Sequence, residues 1–434
     1  METSSVTRPA ELRRCPECGA TATVDGRYVD WCEECDWNVD PGAPEPARGR
    51  LETVRRRLAH QYGEQLAAEI AGSGGEAGPG RLDASSMLAI GISLLVHAVT
   101  VGLVVIAGVL IIGGWYTVVQ PLLGALLLGI VAVLWPKPQR LPKHAPVLYR
   151  ADAPRLFDLV DEVAAAVGTS GVHAVVVDPS ANAAVTNYGI RRRRMLILGL
   201  GLWEILSPQE RVALLGHELG HFANGDLRSK FVTHWAMGAL ARWYYFLLPK
   251  PPHNLVDLFV NTMLFLPRWA VYGLIHLLDG LTMRASQRAE YLADTGAARA
   301  GSTEAAVLLM DRLLIGGAVD AELRRDAVAA GVRGGSAGRE AREAAERGLW
   351  ERLAARMGSV PESEYERLRR VSARRGHSVD DTHPPTHLRR RCLLSSAPHP
   401  AEVVFDSSRI AAVAAELAPL REELARRVIR DYAG

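Results

Sequence analysis

Charged side chains are missing from one long part of the sequence. Between residues 84 and 136 there is no Asp, Glu, Lys or Arg. A run of this length has room for two helices of about 20 residues each, the length that crosses the hydrocarbon core of a bilayer. We predict one span over residues 86–112, a turn at Gly113 and Gly114, and a second span over residues 115–135. A buried hairpin in a soluble protein is the alternative, but so long a run would need a larger soluble domain than this chain offers.

A strong excess of charge of either sign is also missing. The 434 residues carry a formal net charge of +2, which is too small to indicate a nucleic-acid partner. More than 80 residues precede the apolar run, so a cleaved signal peptide is not expected. Cations flank the run on both sides and are absent from its turn, which predicts that both termini and the domain after the run face the cytoplasm. The flanking cations are Arg55, Arg56, Arg57, Arg81, Lys137, Arg140 and Lys143.

Cysteine is scarce outside the first 40 residues. Four of the five cysteines form two Cys-x-x-Cys pairs separated by thirteen residues, namely Cys15 with Cys18 and Cys32 with Cys35. Two such pairs are typical of a zinc ribbon, in which four thiolates saturate one tetrahedral ion, so this site is predicted to be structural and not catalytic. Two disulfides are the alternative, which the cytoplasmic placement disfavours. Cys392 is left alone and is predicted to be a buried or inert thiol.

Shifts in composition divide the chain into four predicted parts. They are a zinc ribbon at residues 1–40, a linker with an amphipathic helix at 41–83, two transmembrane helices at 84–136, and a folded domain at 145–434. The folded domain is mainly helical with a few strand patterns, so we predict the α+β class with a small β-sheet. Within it, residues 231–281 are apolar but interrupted by charges. They fit further membrane spans, helices lying along the interface, or a wall of the domain.

Local patterns predict the elements of the folded domain. The spacing of apolar residues favours a helix at 152–167, strands at 173–177, 182–188 and 195–200, and a last helix at 408–432. Ser207, Pro208 and Glu210 form the signature of a helix N-terminus. Residues 304–375 are rich in Ala, Arg, Glu and Leu, which indicates exposed amphipathic helices with an interruption at 331–338.

The helix after the third strand contains two histidines four residues apart. His217 and His221 lie on one helical face, where two imidazoles can bind one metal ion, and Glu218 is beside them in position to take a proton from water. A hydrolytic zinc site needs three protein ligands and an open position, so a third ligand must come from elsewhere. Glu290 and Asp294, one helical turn apart, are candidates for a ligand and for the acid that supports a ligand histidine. Taken singly, each of these side chains could be an ordinary surface residue.

Four segments together resemble a family of integral-membrane zinc peptidases, which includes the bacterial HtpX heat-shock protease and the CAAX prenyl endopeptidases. In the family's order, they are Asn182 with Ala183, residues 217–226, residues 290–294, and residues 382–385 with Arg389. The resemblance covers about residues 145–391 and the hairpin before them. Gln287 departs from the family, which often has Arg at this position, and the zinc ribbon lies outside the family pattern.

The resemblance implies a zincin-like metallopeptidase domain and roles for single residues. Glu290 is implied as the third ligand of a catalytic zinc, and Asp294 as the acid behind a ligand histidine. Asn182 is implied to lie on an edge strand that aligns the substrate backbone, and His383 to help stabilise the oxyanion.

The function that we expect is a membrane-anchored endopeptidase in the plasma membrane of a bacterium. It would cut unfolded or membrane-associated polypeptides near the cytoplasmic face, as quality control, with Glu218 as general base and with one catalytic and one structural zinc. Two alternatives stay open: processing of CAAX-type prenylated peptides, and a non-catalytic zinc-binding membrane adaptor. The expected partners are a polypeptide substrate and the lipid bilayer, with room for a protein partner at the ribbon and with no nucleic acid.

Overall fold

Helices dominate the structure, a computed structural model that describes residues 11–42, 49–72, 84–135, 139–142, 145–223, 231–331, 335–375 and 384–431. In chain order the strands are β1 (Glu11–Arg14), β2 (Thr21–Val24), β3 (Val147–Leu148), β4 (Ala174–Asp178), β5 (Ala183–Tyr188) and β6 (Arg193–Gly199). The helices are α1 (Arg50–Gly72), α2 (Ala84–Gly113), α3 (Val119–Leu134), α4 (Pro154–Ala166), α5 (Leu200–Ile205), α6 (Pro208–Ala223), α7 (Phe231–Phe246), α8 (Leu255–Met263), α9 (Phe265–Gly301), α10 (Thr303–Leu314), α11 (Gly316–Gly331), α12 (Gly335–Glu346), α13 (Leu349–Gly358), α14 (Glu362–Arg375), α15 (Thr386–Ser395) and α16 (Ser407–Asp431). The predicted fold class, α+β and mainly helical with small sheets, is confirmed.

The chain divides into two compact units. The first contains Met1–Ala77, Leu141–Ala223 and Glu290–Gly434, and the second contains Gly78–Arg140 and Asn224–Ala289. The long helix α9 contributes residues to both units. The region after the apolar hairpin is therefore not one block, because residues 224–289 cluster with the hairpin. The predicted domain boundaries stay a prediction.

The second unit is built from apolar helices joined by small side chains. Ala89 and Val96 of α2 pack with Ala236 and Ala239 of α7 and with Val271 of α9. Two helices, Ala84–Gly113 and the combined stretch Leu255–Gly301, are long and apolar enough to cross a membrane. Few of the residues in their most apolar windows are buried inside the protein, which leaves most of the apolar surface on the outside of the unit. Such a surface is what a bilayer, and not water, would solvate.

The hairpin differs from its prediction at one end. The first predicted span agrees with α2 to within two residues, but α3 begins at Val119, four residues later than the predicted start. The turn is longer because the Thr117 N–H donates to the Gly114 carbonyl at 2.8 Å, and Pro121, which lacks an N–H donor, fits only in the first turn of a helix. With 16 residues, α3 is about 24 Å long and shorter than the hydrocarbon core of a typical bilayer.

The first unit contains a four-stranded sheet in the order β3-β4-β6-β5. β4 and β6 are parallel, and β5 runs antiparallel to β6 with Ala183 opposite Leu198. β4, β5 and β6 agree with the predicted strands to within two residues. β4 is buried along most of its length, as its run of valines predicts, whereas β5 is half-buried throughout. One edge of β5 has no neighbouring strand within the described sheet.

The described helices between residues 304 and 375 are amphipathic, as predicted, and their apolar faces are buried in the first unit. Leu309 and Met310 of α10, Leu353 of α13 and Tyr365 of α14 are all buried. These helices look exposed in sequence because Arg and Glu alternate with apolar residues, yet Arg369 of α14 is itself half-buried against Asp311, with Nε to Oδ1 at 2.9 Å. Some charged residues of these helices therefore lie against the core, while the others remain on the surface.

The ribbon and α1 both dock inside the first unit. Arg370 of α14 lies over the Trp31 ring at 5.1 Å and donates to Asp36 Oδ1 at 2.7 Å. Its guanidinium lowers the pKa of the Asp36 carboxyl. Separately, Leu66 and Ala67 of α1 lie in a buried cluster with Leu388, and the cluster also contains Tyr291 of α9, whose hydroxyl donates to the Gly63 carbonyl at 3.2 Å. The helix α1 therefore contacts α9 and α15, which also carry residues of the candidate metal centre described below, whereas the ribbon contacts α14.

Candidate metal centres

The helix α6 starts where the sequence predicts. The Ser207 N–H donates to Glu210 Oε2 at 2.7 Å, and the Glu210 N–H points back to Ser207 Oγ at 3.4 Å. This reciprocal pair is a capping box, and Pro208 occupies the first helical position. Most of α6 is buried, so His217 and Glu218 lie in the interior and not on a surface face. The surface alternative for these two residues is therefore excluded.

Small residues let α6 and α9 approach closely. A Cβ added at Gly216 would lie 2.9 Å from the carbonyl oxygen of Gly296, and one added at Gly220 would lie 3.1 Å from Ala293 Cα. Side chains at these positions would push α9 away. The close approach brings Glu290, on α9, beside the two histidines of α6. Sequence analysis missed these glycines, although their recurrence at helical spacing was a visible signal.

One cluster consists of His217, His221 and Glu290. His217 Nε2 lies 3.6 Å from Glu290 Oε2, His221 Nε2 lies 3.7 Å from Glu290 Oε1, and one ligand atom from each residue falls within 4.8 Å of the others. Ligand nitrogens and oxygens on a tetrahedral zinc ion are separated by about 3.4 Å, given bonds of about 2.0–2.1 Å. Two imidazoles and one carboxylate are also a ligand set of catalytic zinc sites. The donor set therefore fits a zinc ion with one open position.

Asp294 and Arg389 support His217 from behind. Asp294 Oδ1 lies 3.0 Å from His217 Nδ1, and the Arg389 guanidinium donates to both oxygens of Asp294, from Nη2 at 2.6 Å and from Nε at 2.8 Å. All three side chains are buried. A carboxylate at Nδ1 keeps the proton on that nitrogen, so that the unprotonated Nε2 can serve as the metal-binding nitrogen. The sequence analysis placed Arg389 in the fourth segment of the family resemblance but predicted no role for it, because only packing brings α15 to this site.

Asn182 lies at the start of the edge strand. Its side-chain Oδ1 accepts from the Ala183 N–H at 2.9 Å, and its carbonyl accepts from the Gly199 N–H at 2.8 Å. It therefore immediately precedes β5. A cavity of about 240 Å³ lies between this strand start and α6, and it is bordered by His217 and Glu218. His383, the remaining residue implied by the resemblance, lies outside the described residues.

The other cluster consists of the four cysteines of the ribbon. Cys15 Sγ lies 3.7 Å from Cys35 Sγ, and Cys18 Sγ lies 3.6 Å from Cys32 Sγ. All four are free thiols in this structure, so the disulfide alternative has no support. Sulfur atoms on a tetrahedral zinc ion are about 3.8 Å apart, given Zn–S bonds of about 2.3 Å. The donor set fits zinc with no open position. Cys392 is buried, as predicted, and burial raises its pKa to about 11.

Comparison with known proteins places these features in context. The sequence profile described as "Peptidase family M48" matches residues 150–397. "Protease HtpX" of Xylella fastidiosa (strain M12) is 28% identical over 209 residues, which cover 44% of this chain and 70% of that protein. "Protease HtpX homolog" of Bordetella avium (strain 197N) is 25% identical over 228 residues, which cover 48% of this chain and 74% of that protein. No solved structure matches. The ribbon and α1 precede the matched residues.

Proposed function

The chain belongs to peptidase family M48, and on this premise we propose that it cuts unfolded or membrane-associated polypeptides at the cytoplasmic face of a bacterial plasma membrane. The resemblance to HtpX-like peptidases is confirmed, and the chain is a membrane metalloendopeptidase. The cytoplasmic orientation is supported by the cations that flank the hairpin. The placement in a bacterial membrane is supported by the bacterial origin of the relatives. The proposed substrates, unfolded or membrane-associated polypeptides, make this a quality-control role.

One observation carries the proposal: the ligand atoms of His217, His221 and Glu290 converge next to Glu218. These three side chains would hold the catalytic zinc, which when bound supplies Lewis-acid activation of water and of the scissile carbonyl. Glu218 accepts the proton of the attacking water and later delivers it to the leaving amine. Asp294 keeps His217 in the tautomer and orientation that the site needs.

The substrate backbone would pair with the free edge of β5. An extended peptide gains main-chain hydrogen bonds at an unpaired strand edge, and Asn182 marks the end of that edge beside the cavity. His383 would stabilise the oxyanion, an assignment that rests on the family resemblance. Pro384 and Pro385, which follow it, lead directly into α15.

The four cysteines would hold a second zinc ion, with a structural task. Their sulfurs leave no open position, and the ribbon contacts α14 through Arg370, Arg374 and Arg375. The structural role of the ribbon would therefore be to attach the N-terminal residues to α14 of the first unit. A protein partner of the ribbon stays a prediction.

The test replaces Glu218 with Gln in the full-length, detergent-purified protein. Loss of the general base should lower casein cleavage by a factor of about 10²–10⁴ while both zinc ions are retained. Glu304→Gln, an exposed acid at the start of α10, is the matched control and should cleave like the wild type. Undiminished cleavage by the Glu218 variant would refute the proposal.

A further inference from the structure

The helix α1 has one buried face, and this face lies against α9 and α15. Among the described side chains of α1, the buried residues recur at the spacing of one helical face: Gly63, Leu66, Ala67 and Ile70. Glu64 and Ala68, which lie between them in sequence, are exposed. The buried face shares one cluster with Tyr291 of α9 and with Leu388 and Cys392 of α15. The helix α1 therefore bridges α9 and α15.

Two backbone carbonyls of α1 accept hydrogen bonds from these helices. The Tyr291 hydroxyl donates to the Gly63 carbonyl at 3.2 Å. One turn further along α1, the Cys392 thiol lies 3.8 Å from the Ala67 carbonyl and is the weaker donor of the two. The Tyr291 hydrogen bond is buried, so water does not compete for it. It therefore fixes the position of α1 along α9.

The contacts of α1 lie within one helical turn of residues that support the candidate catalytic centre. Tyr291 directly follows Glu290 and precedes Asp294 by three residues. Asp294 joins α9 to α15, because its carboxylate accepts two hydrogen bonds from Arg389. Asp294 also lies close to the thiol that faces α1, since its charge, together with burial, raises the pKa of Cys392 to about 11. The helix α1 thus bridges the same two helices that the Asp294–Arg389 pair connects.

The Asp294–Arg389 pair depends on neighbours that exclude water. Only 2% of Asp294 and 3% of Arg389 are exposed. Hydrogen bonds between charged groups are stronger and better fixed in such a dry environment than in water. Leu66 and Ile70 of α1 contribute apolar surface to the cluster beside this pair. We therefore expect that a displacement of α1 loosens the contact between α9 and α15.

We propose that α1 is a brace for the catalytic centre, and that Tyr291 is a positioning residue that fastens this brace to α9. The brace holds α9 and α15 at the separation that the Asp294–Arg389 pair needs, and the pair in turn holds His217. For its effect on cleavage, the inference rests on the proposed function. The matched family profile begins at residue 150, after α1, so the brace is an addition of this chain to that profile.

Two neighbouring alanines of α1 allow a matched test. Ala67 is buried in the cluster with Tyr291, Leu388 and Cys392, so a longer polar side chain there must push α1 away from α9 and α15. Ala68, the next residue, is exposed. Gln is a good helix former and carries no charge, so neither substitution weakens α1 itself. Ala67→Gln and Ala68→Gln therefore make the same chemical change inside and outside the contact.

The first experiment compares cleavage of a fluorogenic peptide by the full-length wild type and both variants. Ala67→Gln should lower kcat about 10- to 100-fold and leave KM unchanged, because the supported metal ligands move while the strand edge that binds substrate stays intact. Ala68→Gln should cleave like the wild type. A folded Ala67→Gln protein that has a lower melting temperature but the wild-type kcat would overturn the proposal.

A second variant tests the hydrogen bond without changing α1. Tyr291→Phe removes the hydroxyl that donates to the Gly63 carbonyl and keeps the buried ring. It should lower kcat about two- to tenfold, the effect of one hydrogen bond. Tyr62→Phe, on α1 but outside the buried cluster, is the control and should keep the wild-type kcat. A wild-type kcat in Tyr291→Phe would refute the role of Tyr291.

Metal binding separates this inference from the proposed function. The Glu218→Gln protein, with and without Ala67→Gln, is loaded with cobalt(II) in place of zinc and exposed to rising chelator concentrations. Cobalt bound by thiolates and cobalt bound by imidazoles absorb at different wavelengths, so each centre is followed separately. Ala67→Gln should weaken cobalt binding at the histidine centre about 10- to 100-fold and leave the cysteine centre unchanged. That result supports the brace even if Glu218 is not the base, and equal cobalt affinities at the histidine centre refute it.

Discussion

The two candidate metal centres are built in opposite ways. The cysteine centre takes all its ligands from two short turns, between Cys15 and Cys35, with a two-stranded sheet and few buried apolar residues around it. The histidine centre takes its ligands from α6 and α9, which are distant in sequence and packed in the core of the peptidase unit. In the first, the ion would hold the protein together. In the second, the packing of α6 against α9 sets the positions of the candidate ligands.

This difference shows where each centre is vulnerable. The cysteine centre depends mainly on its four thiolates, because few apolar residues are buried around it. The histidine centre depends on residues that never touch the ion, including the glycines between α6 and α9 and the Asp294–Arg389 pair. Substitutions away from the ligands should therefore damage only the histidine centre.

The largest effect is expected for Gly216→Ala. The added Cβ would lie 2.9 Å from the Gly296 carbonyl oxygen, so α9 must shift and move Glu290 away from the histidines. Peptidase activity should fall at least about 100-fold, since a displacement of about 1 Å is enough for this loss. Metal analysis should find one zinc per chain, held by the cysteines.

Gly280→Ala is the control for that experiment. Gly280 lies on α9, and a Cβ there would meet nothing within 4 Å. This variant should keep both zinc ions and full activity. If Gly216→Ala kept two zinc ions and wild-type activity, the histidine centre would tolerate this substitution. That result would contradict the claim that the histidine centre depends on residues that do not touch the ion.

A smaller effect on activity is expected for Cys32→Ser. Loss of one thiolate should release the ribbon zinc and unfold the ribbon, because so few apolar residues are buried there. The contacts of Arg370 with Trp31 and Asp36 would be lost, so the melting temperature should fall, and activity should drop severalfold without being abolished. Cys392→Ala, at a buried cysteine outside both centres, should keep two zinc ions. Retention of both ions by Cys32→Ser would refute the cysteine assignment.

The smallest effect is expected on the pH dependence of the free energy of unfolding. It arises from His387, on the helix that also carries Arg389. His387 lies on α15, two residues before Arg389, and burial together with the cations Arg391 and His60 lowers its pKa to about 4, with Glu64 acting in the opposite sense. Because the folded pKa is below the ordinary value of about 6.5, the unfolded state binds more protons between these values. Stability is therefore complete above pH of about 6.5 and is lost as the pH falls towards 4.

His387→Phe should remove this component. Relative to the wild type, the variant should lose about 1 kcal/mol less of unfolding free energy between pH 6.5 and 4.5, a figure reduced because the side chain is only partly buried. Thermal unfolding of both proteins across this range measures the difference, and His399→Phe, at an exposed histidine, should leave the wild-type slope. Parallel curves for the wild type and His387→Phe would contradict the prediction.

Sequence patterns predicted what depends on neighbouring residues. The capping box of Ser207 and Glu210, the three strands, the cysteine pairs and the first apolar helix all follow from spacings of a few residues. They say less where a distant contact decides the outcome. The helices between residues 304 and 375 are amphipathic, as predicted, but the burial of Asp311 against Arg369 depends on a contact between two helices that are distant in sequence.

The sequence by itself determined the chemistry of this protein: which side chains can bind zinc, which acid stands beside them, and which segment is too apolar for water. Tertiary structure alone decided that Gly216 and Gly296 meet, that Arg389 reaches Asp294, and that a cavity lined by leucines opens beside Glu218. The physical reason is the distance along the sequence over which each interaction acts. Propensities, caps and ligand pairs act over a helical turn or less, whereas close packing joins residues that only the complete fold brings together.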